Sequence, residues 1–262
     1  MKISFVGSGN VATHLALAFS ASGHSIVQIC SPNIEHAAQL SSVVGADSLQ
    51  KVSSLGDVDV CILAVSDDVI PSVVGELRPG CARLLLHTSG CAPIEVLRGV
   101  CDLYGVLWAP QTFVRGVAMD YSQLPFCIEG CSEEAVGLIQ QLAMSVSRYC
   151  YCLDGAQRSW AHLCSVLVNN FVNALNASAQ SLLQSKGIPF ELLYPIIKTT
   201  MEKAMCDNVW LQQTGPAVRG DVATMSRHRG MLDGDEQLQS VYDAISDWIV
   251  MNKHKSKTVP CS

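Results

Sequence analysis

The order of hydrophobic and polar positions along the chain predicts two structural parts. In the first part, short apolar runs alternate with amphipathic stretches, a pattern typical of buried parallel strands that are connected by helices. Strands are predicted at residues 2–7, 25–31, 58–66, 83–89, 105–111, 125–130 and 148–154. Helices are predicted at residues 10–23, 34–45, 67–80, 92–101 and 132–146. This alternation predicts an α/β fold with a doubly wound parallel sheet.

After Asp154 the pattern becomes helical. Residues 157–185 contain neither glycine nor proline, and they predict one long helix. A further helix is predicted near 189–206, followed by a loop at 212–221 and a last helix near 236–251. We therefore expect an α/β domain at residues 1–154 and an all-α domain at residues 155–262.

The first predicted strand runs directly into the sequence GSGNVA at residues 7–12. Here the first glycine permits a tight turn, the second lets a pyrophosphate approach the backbone, and Ala12 takes the place of a third glycine. The following helix would direct its N-terminus at the phosphates. Such a turn also occurs for purely structural reasons, but the strand before it and the helix after it favour a dinucleotide site. The predicted cofactor contacts are Gly7, Ser8, Gly9, Asn10 and Val11.

The end of the second strand bears on the choice of nicotinamide cofactor. NAD sites usually place Asp or Glu there to bind the ribose hydroxyls. This strand ends in QICSPN, with no carboxylate before Glu35, so the small and neutral Ser31 leaves space for a 2'-phosphate. No arginine lies directly beside it to bind that phosphate. The sequence favours NADP over NAD, with Ser31 at the 2'-phosphate.

Two more strand ends are predicted to lie at the cofactor edge, because open α/β sheets bind ligands at the carboxyl ends of their strands. AVSDD at 64–68 places Val65 and Ser66 there, and HTSG at 87–90 places His87, Thr88 and Ser89 there. The same residue types also form ordinary turns and helix caps, and that alternative stays open.

Polar residues recur along the long predicted helix. His162, Asn169, Asn173 and Asn176 return to within about 40° of one face at regular α-helical spacing. Buried polar side chains must be hydrogen-bonded, and lining a substrate cleft is one way to achieve this. A solvated helix face or an amide network between helices is the alternative.

The later sequence QTGPAVRGDVATMSRH, residues 213–228, combines a turn with two charged side chains. Arg219 is of the type that binds a substrate carboxylate through two parallel hydrogen bonds. Asp221 is a good N-cap for the following helix. A surface loop with a capping aspartate and a solvated arginine is the alternative interpretation.

Composition narrows the class of protein. Of the 262 residues, 49% are hydrophobic and 15% are charged, which is enough apolar material for a large core. The net charge of -6 argues against nucleic acid as a partner. No apolar run is long enough to span a bilayer, and no hydrophobic leader precedes Lys2. We therefore expect a cytoplasmic protein that does not contact a membrane.

The 12 cysteines do not predict a metal site. Most lie inside apolar runs, as Cys30, Cys61 and Cys164 do, and we interpret them as small buried hydrophobic residues. The close pairs Cys127/Cys131 and Cys150/Cys152 lack the paired spacing that a zinc site uses. The sequence CYC at 150–152 is also compatible with a metal or redox pair, and this alternative stays open.

Several of these motifs together resemble one known family. They are GSGNVATHLA, AVSDD, HTSG, WAPQTF, AHLCSVLVNNFVNAL and TGPAVRGDVATMSRH, and the similarity covers essentially the whole chain. The chain resembles Rossmann-like NADP-binding oxidoreductases with a C-terminal helical domain of unknown function. These proteins are related to ketopantoate reductase, pyrroline-5-carboxylate reductase and coenzyme-F420-dependent NADP oxidoreductase. The resemblance implies an NADP-binding oxidoreductase that is a homodimer through a 6-phosphogluconate dehydrogenase-like helical domain, with its reaction cleft between domains.

The sequence departs from ketopantoate reductase at the catalytic position. That enzyme carries a catalytic lysine early in the first long helix of its second domain, whereas this chain has no lysine between residues 156 and 185. His162 occupies the comparable place, and a protonated imidazole can donate a proton to a carbonyl oxygen as hydride reaches the carbon. The predicted catalytic set is His162, Asn170, Asn173, Arg219 and Asp221. In it either asparagine orients the substrate oxygen, the arginine binds the carboxylate, and His87 or Ser89 holds the nicotinamide.

These observations predict an NADP-dependent reductase of a small carbonyl or imine acid, possibly ketopantoate-like, whose substrate is a small-molecule carboxylate. One alternative is an imine reductase, or an F420-linked enzyme with F420 as co-substrate, on the same scaffold. Another is a catalytically inactive NADP-binding sensor or interaction protein. The set of His, Asn and Arg residues favours the enzyme, because a sensor has no need of it.

Overall fold

The computed structural model describes residues 1–253 and contains one sheet of eight strands in the order β3-β2-β1-β4-β5-β6-β7-β8. The strands are β1 (Lys2–Val6), β2 (Ser25–Cys30), β3 (Asp47–Leu49), β4 (Val58–Leu63), β5 (Ala82–His87), β6 (Leu103–Trp108), β7 (Phe126–Gly130) and β8 (Cys150–Cys152). The order reverses between β1 and β4, which is where open α/β sheets bind their ligands. The predicted α/β fold is confirmed.

The chain separates into two compact units, the first comprising Met1–Phe171 and the second beginning at Val172. The first unit therefore extends beyond Asp154, the last residue of the predicted α/β domain, and includes the next helix. Its helices are α1 (Asn10–Ala21), α2 (Ile34–Val44), α3 (Ile70–Glu76), α4 (Glu133–Met144) and α5 (Gly155–Ser165). The second unit contains α6 (Val172–Ser185), α7 (Tyr194–Ala204), α8 (Pro216–Arg219), α9 (Val222–Met231) and α10 (Glu236–Asn252). Short 3-10 turns occur at Val52–Ser54, Ile94–Leu97, Tyr121–Gln123, Phe190–Leu193 and Val209–Gln212.

The sheet is buried on both faces. Successive residues of β1 show this, because Phe5 belongs to one hydrophobic cluster with α1 and α4, whereas Val6 belongs to another with α3. Both residues are at most 2% exposed. Burial of both faces explains why the strands read as continuous apolar runs in the sequence. No helix within residues 1–253 combines the length and apolar character needed to cross a bilayer.

The sheet is not parallel throughout, because β7 pairs antiparallel with β6. The connection between these strands, residues 109–125, contains only a 3-10 turn and no crossover helix. Parallel neighbours usually need a helical crossover, and without one the chain returns in the opposite direction. β8 runs parallel to β7, so the last two strands oppose the other six.

The structure differs from the predicted elements at several places: the loop predicted at 212–221 contains α8, and the helix predicted at 67–80 is only Ile70–Glu76. Two further differences have identifiable reasons. The helix predicted at 92–101 is only the 3-10 turn Ile94–Leu97, preceded by Pro93 and followed by Gly99 with φ of 91°. β3 was not predicted, because a three-residue edge strand of sequence DSL has no hydrophobic pattern to reveal it.

The long helix predicted at 157–185 is interrupted by a π-helical segment, Val166–Phe171. A π turn holds more residues than an α turn, so it rotates the residues that follow it. The predicted stripe assumed regular α-helical spacing from His162 to Asn176, and that assumption is wrong. π-helical segments are frequently found at functional sites.

Replacing Gly105 with alanine tests the antiparallel pairing. A Cβ at Gly105 would lie 2.1 Å from the Glu129 carbonyl oxygen across the β6–β7 pair. We expect Gly105→Ala to lower the free energy of unfolding by about 2 kcal/mol or more, measured by urea denaturation. The matched control is Gly137→Ala on the exposed face of α4, where a Cβ meets nothing within 4 Å. It should gain about 0.5 to 1 kcal/mol. Equal stability of Gly105→Ala and the parent protein would contradict this pairing.

Candidate functional site

The glycine turn after β1 is held in a conformation that only glycine accepts. Gly7 has a φ of 110°, and its N–H donates to the Cys30 carbonyl at 2.8 Å. A Cβ at this position would lie 2.2 Å from the Ala64 carbonyl oxygen and 3.3 Å from the Val65 side chain. The turn therefore packs closely against Ala64, directly after β4, and lies next to Val65, a predicted cofactor residue.

The N-terminus of α1 is free to bind an anion. Gly9 is its N-cap, no side chain caps the helix, and a Cβ at Gly9 would meet nothing within 4 Å. Open space above uncapped N–H groups fits a pyrophosphate. Ala12 is fully buried against the sheet, which explains why a small residue replaces the third glycine there. Asn10 and Val11 lie in this first turn, and Ser8 is buried beneath it.

A cation that the sequence did not reveal lies beside this turn. The Arg115 guanidinium donates to the Ser8 carbonyl at 2.7 Å. The preceding residues also contact α1, since the Asn10 amide donates to the Phe113 carbonyl at 3.0 Å and His14 Nε2 donates to the Val114 carbonyl at 2.9 Å. These contacts hold Arg115 next to the free N-terminus of α1. The only sequence signal was an arginine shortly after the WAPQTF motif.

The ends of β2 and β4 carry three further predicted cofactor residues. Ser31 is buried, and its hydroxyl oxygen accepts from the Asn33 N–H at 3.3 Å. Val65 is half-buried and Ser66 is exposed directly after β4. No carboxylate lies within residues 30–33, so nothing there repels a phosphate.

The HTSG sequence begins with the last residue of β5, and its residues make hydrogen bonds within the fold. Ser89 is buried, and its hydroxyl oxygen accepts from the N–H groups of Cys91 and Ala92 at 3.0 and 2.8 Å. Thr88 is half-buried, and its N–H donates to the Leu63 carbonyl at 3.2 Å, which ties β5 to β4. His87 is fully buried, so the expectation that it holds the nicotinamide is wrong. Its Nδ1 accepts from the Ser89 N–H at 3.1 Å.

His162 on α5 packs against this same loop. Its Nδ1 lies 3.2 Å from the sulfur of Cys91, and its ring lies 5.8 Å from the Trp108 ring between centroids. A Cβ at Gly90 would lie 2.5 Å from His162 Cδ2, so the close approach requires glycine. Nε2 of His162 makes no hydrogen bond to any residue that the structure describes. The imidazole is therefore fixed on one side and free on the other.

A cavity of about 330 Å³ adjoins His162. It is lined by residues 108–112 at and after the end of β6, by the last turn of α5 and by the π-helical segment. Asn169 donates to the Thr112 hydroxyl at 2.5 Å, which ties these two sides together. Asn170, a predicted catalytic residue, also lines the cavity. Both asparagines belong to the π-helical segment.

Arg158 fixes α5 to the sheet and was missed by the sequence interpretation. It is 1% exposed, forms an ion pair with Glu129 on β7, and donates from Nη2 to the Ala92 carbonyl at 2.6 Å. A charged side chain is buried in this way only when it is paired. Because Arg158 lies one turn before His162, it sets where the imidazole meets the loop.

The other predicted catalytic residues belong to the second unit. Asn173 and Arg219 are exposed. Asp221 is the N-cap of α9, which confirms the capping interpretation, and it accepts from the N–H and the hydroxyl of Thr224 at 3.0 and 2.8 Å. The same hydrogen bonds hold the pKa of Asp221 below its ordinary value.

The cysteines divide by burial. Cys30, Cys61, Cys81, Cys101 and Cys127 are buried, as interpreted from the sequence. Cys164 is exposed, so its interpretation as a buried residue is wrong, and Cys91, Cys152 and Cys206 are exposed as well. Within residues 1–253, no group of three or more His, Cys, Asp or Glu side chains is arranged to hold a metal ion.

Comparison with known proteins gives two family matches and several similar structures. Residues 2–86 match the NADP oxidoreductase, coenzyme F420-dependent family, and residues 124–249 match the Domain of unknown function (DUF2520). A candidate NADP oxidoreductase of Bacteroides fragilis, BF3122, is 31% identical, with 95% of this chain and 98% of that chain covered and a TM-score of 0.88. No curated protein matches the chain.

Two more distant structures share the fold. Protein TM1727 of Thermotoga maritima is 22% identical, with 96% of this chain and 99% of that chain covered and a TM-score of 0.80. The reductive aminase of Aspergillus terreus, solved with NADPH and ethyl-5-oxohexanoate, is 12% identical, with 97% and 94% covered and a TM-score of 0.73.

The buried His87 predicts a pH dependence of stability. Burial, with a smaller contribution from the nearby Arg158, lowers the pKa of His87 from 6.5 to about 4. The unfolded chain therefore takes up a proton below pH 6.5 that the folded chain refuses, and stability is lost as the pH falls from 6.5 towards 4. We expect a loss of roughly 3 kcal/mol from this group over that range, measured by urea denaturation. His87→Gln, which does not titrate, should flatten the curve. Parallel curves for the two proteins would contradict the buried neutral state.

Proposed function

The chain belongs to the Rossmann-like NADP oxidoreductase family, in which a coenzyme-F420-dependent NADP oxidoreductase domain precedes DUF2520, and from this premise we propose that it reduces a small carbonyl or imine acid with NADPH. The observation that carries the proposal lies within the first unit. A nucleotide-type glycine turn and a histidine with a free Nε2 are joined there by one segment, residues 108–115. F420 remains the alternative co-substrate.

NADPH fits the glycine turn through the residues already described. The pyrophosphate would lie over Gly9 at the N-terminus of α1, with Arg115 beside it as a counter-charge. Ser31 at the end of β2 would lie next to the 2'-phosphate, where a carboxylate would repel it. Val65, Ser66 and Thr88 follow the ends of β4 and β5, where the rest of the cofactor would lie.

When bound, NADPH supplies a hydride to the substrate carbon. His162 would supply the proton that the carbonyl oxygen or imine nitrogen needs as negative charge develops on it. Nδ1 of this histidine is occupied by Cys91, so Nε2 is the atom available for donation. Asn170 would orient the reacting oxygen from the wall of the same cavity. The functions predicted for Asn173, Arg219 and Asp221 stay predictions.

We extend the proposal to a homodimer formed through the second unit. Its helices leave large apolar side chains exposed, including Leu192 at 67%, Met205 at 79% and Trp248 at 58%. Among residues 172–253, only Ala217 and Met225 are buried hydrophobic residues. A helical unit with so small a core of its own needs another surface to cover it. A second copy carries the same exposed faces, and symmetric pairing buries both.

Sedimentation equilibrium tests the dimer. At micromolar concentration we expect twice the chain mass of 28.1 kDa, because pairing removes the exposed apolar surface from water. Trp248→Glu, which places a charge on that surface, should shift the equilibrium towards the single chain. A mass of one chain for the parent protein would contradict the dimer.

Replacing His162 tests the proposed reaction. In His162→Asn the carbonyl oxygen or imine nitrogen loses its proton donor, and we expect turnover with NADPH to fall by about 10²-fold. NADPH affinity should be unchanged, because the glycine turn is untouched. Oxidation of NADPH is followed by absorbance with a panel of 2-oxo acids that includes ketopantoate and with cyclic imino acids.

The control for this variant is His36→Asn, on the exposed surface of α2, which should leave turnover unchanged. Unchanged turnover in His162→Asn would discard His162 as the acid. Tight binding of NADPH without oxidation by any substrate of the panel would favour the non-catalytic NADP-binding alternative.

A further inference from the structure

Cys91 and His162 form a thiol–imidazole pair in the first unit. The sulfur lies 3.2 Å from Nδ1, within hydrogen-bond distance for a thiol donor and an imidazole acceptor. Two residues of these types at this separation are the arrangement that activates a cysteine nucleophile, because the imidazole takes the thiol proton as the sulfur attacks.

The pair is held in place from both sides. On the loop side, the Ser89 hydroxyl oxygen accepts from the Cys91 N–H at 3.0 Å, and the Arg158 guanidinium donates to the next carbonyl, that of Ala92, at 2.6 Å. On the helix side, the His162 ring rests against Gly90 and Trp108. These contacts fix the backbone of Cys91 and the ring of His162 relative to each other.

The exposure and chemistry of Cys91 suit a soft carbon electrophile. Cys91 is exposed, so a small molecule can reach its sulfur. The Trp108 ring packs near His162, and both apolar and polar residues line the cavity beside the imidazole. Sulfur is polarizable, and a thiolate therefore reacts readily with the β-carbon of a conjugated carbonyl compound.

We propose that Cys91 is a modification site for α,β-unsaturated carbonyl compounds, with His162 as the base that activates it. Nδ1 takes the thiol proton while the sulfur forms a bond to the β-carbon, and the electron pair of the C=C bond becomes the enolate. The imidazolium then returns the proton to the α-carbon. Every atom of both reactants is retained, nothing is released, and neither an oxidant nor a reductant is needed.

An adduct on Cys91 would change the surroundings of His162. The sulfur would no longer carry a proton to donate to Nδ1, and the added group would lie against the imidazole. An effect of the adduct on proton donation by His162 rests on the proposed function, whereas the reactivity of the thiol does not.

The test is pulse labelling of the full-length protein with N-ethylmaleimide, a conjugated carbonyl electrophile, followed by peptide mass spectrometry. The exposed Cys152, Cys164 and Cys206 are matched internal controls. We expect Cys91 to react at least about tenfold faster than each of them, because only its sulfur has an imidazole base in contact. In His162→Gln the Cys91 rate should fall by about tenfold, while the three control rates stay unchanged.

Buried thiols report whether the variant is folded. Burial raises the pKa of Cys61 to about 12, and this residue should remain unlabelled in every folded protein. If Cys61 becomes labelled in His162→Gln, this variant is unfolded, and the proposal is then tested by the rate ratio between Cys91 and the control cysteines in the parent protein. A Cys91 rate equal to the control rates in the parent protein, or unchanged in a folded His162→Gln, would overturn the proposal.

Discussion

The buried ion pair between Arg158 and Glu129 is the interaction on which the candidate site depends. A guanidinium that is 1% exposed is tolerated only with a partner, and removing one partner of such a pair typically costs about 3 kcal/mol or more. Glu129 lies on β7, the strand that turns antiparallel to β6, so the reversal of the sheet supplies the carboxylate that anchors α5. The same guanidinium also binds the Ala92 carbonyl, and α5 is thereby fixed to the loop after β5. The contacts of His162 with this loop follow from that docking.

A second constraint is the segment 108–115, which connects the region around α5 to the glycine turn after β1. Residues 108–115 run from Trp108, the last residue of β6, which packs against His162, to Arg115, which contacts the glycine turn. Along its length the segment contacts Asn10 and His14 of α1 through backbone carbonyls. The glycine turn and His162 are therefore connected by one continuous set of contacts.

The parts that could be predicted from the sequence are those with local physical causes. Gly7 and Ala12 follow from the needs of a tight turn and of close helix packing, and Asp221 follows from the preference of aspartate for N-caps. The site around His162 depends instead on tertiary contacts. Arg158 has no local signal that distinguishes it from a surface arginine, and nothing in the sequence indicates that the segment after β6 would bring Arg115 to α1.

Two predictions are wrong because they assumed a side-chain direction or a helix geometry that the local sequence does not determine. His87 was expected at the cofactor edge because it ends a strand, but the direction of its side chain depends on the neighbouring strands, and it is fully buried. The asparagine spacing assumed a regular α-helix, whereas the π-helical segment changes which residues share a face.

The proposed function requires the glycine turn to bind NADPH. A fluorescence titration of the parent protein with NADPH and NADH measures this binding. We expect saturable binding of NADPH at least about tenfold tighter than that of NADH, a difference of about 1.4 kcal/mol. Absence of binding by either nucleotide would contradict the proposed function.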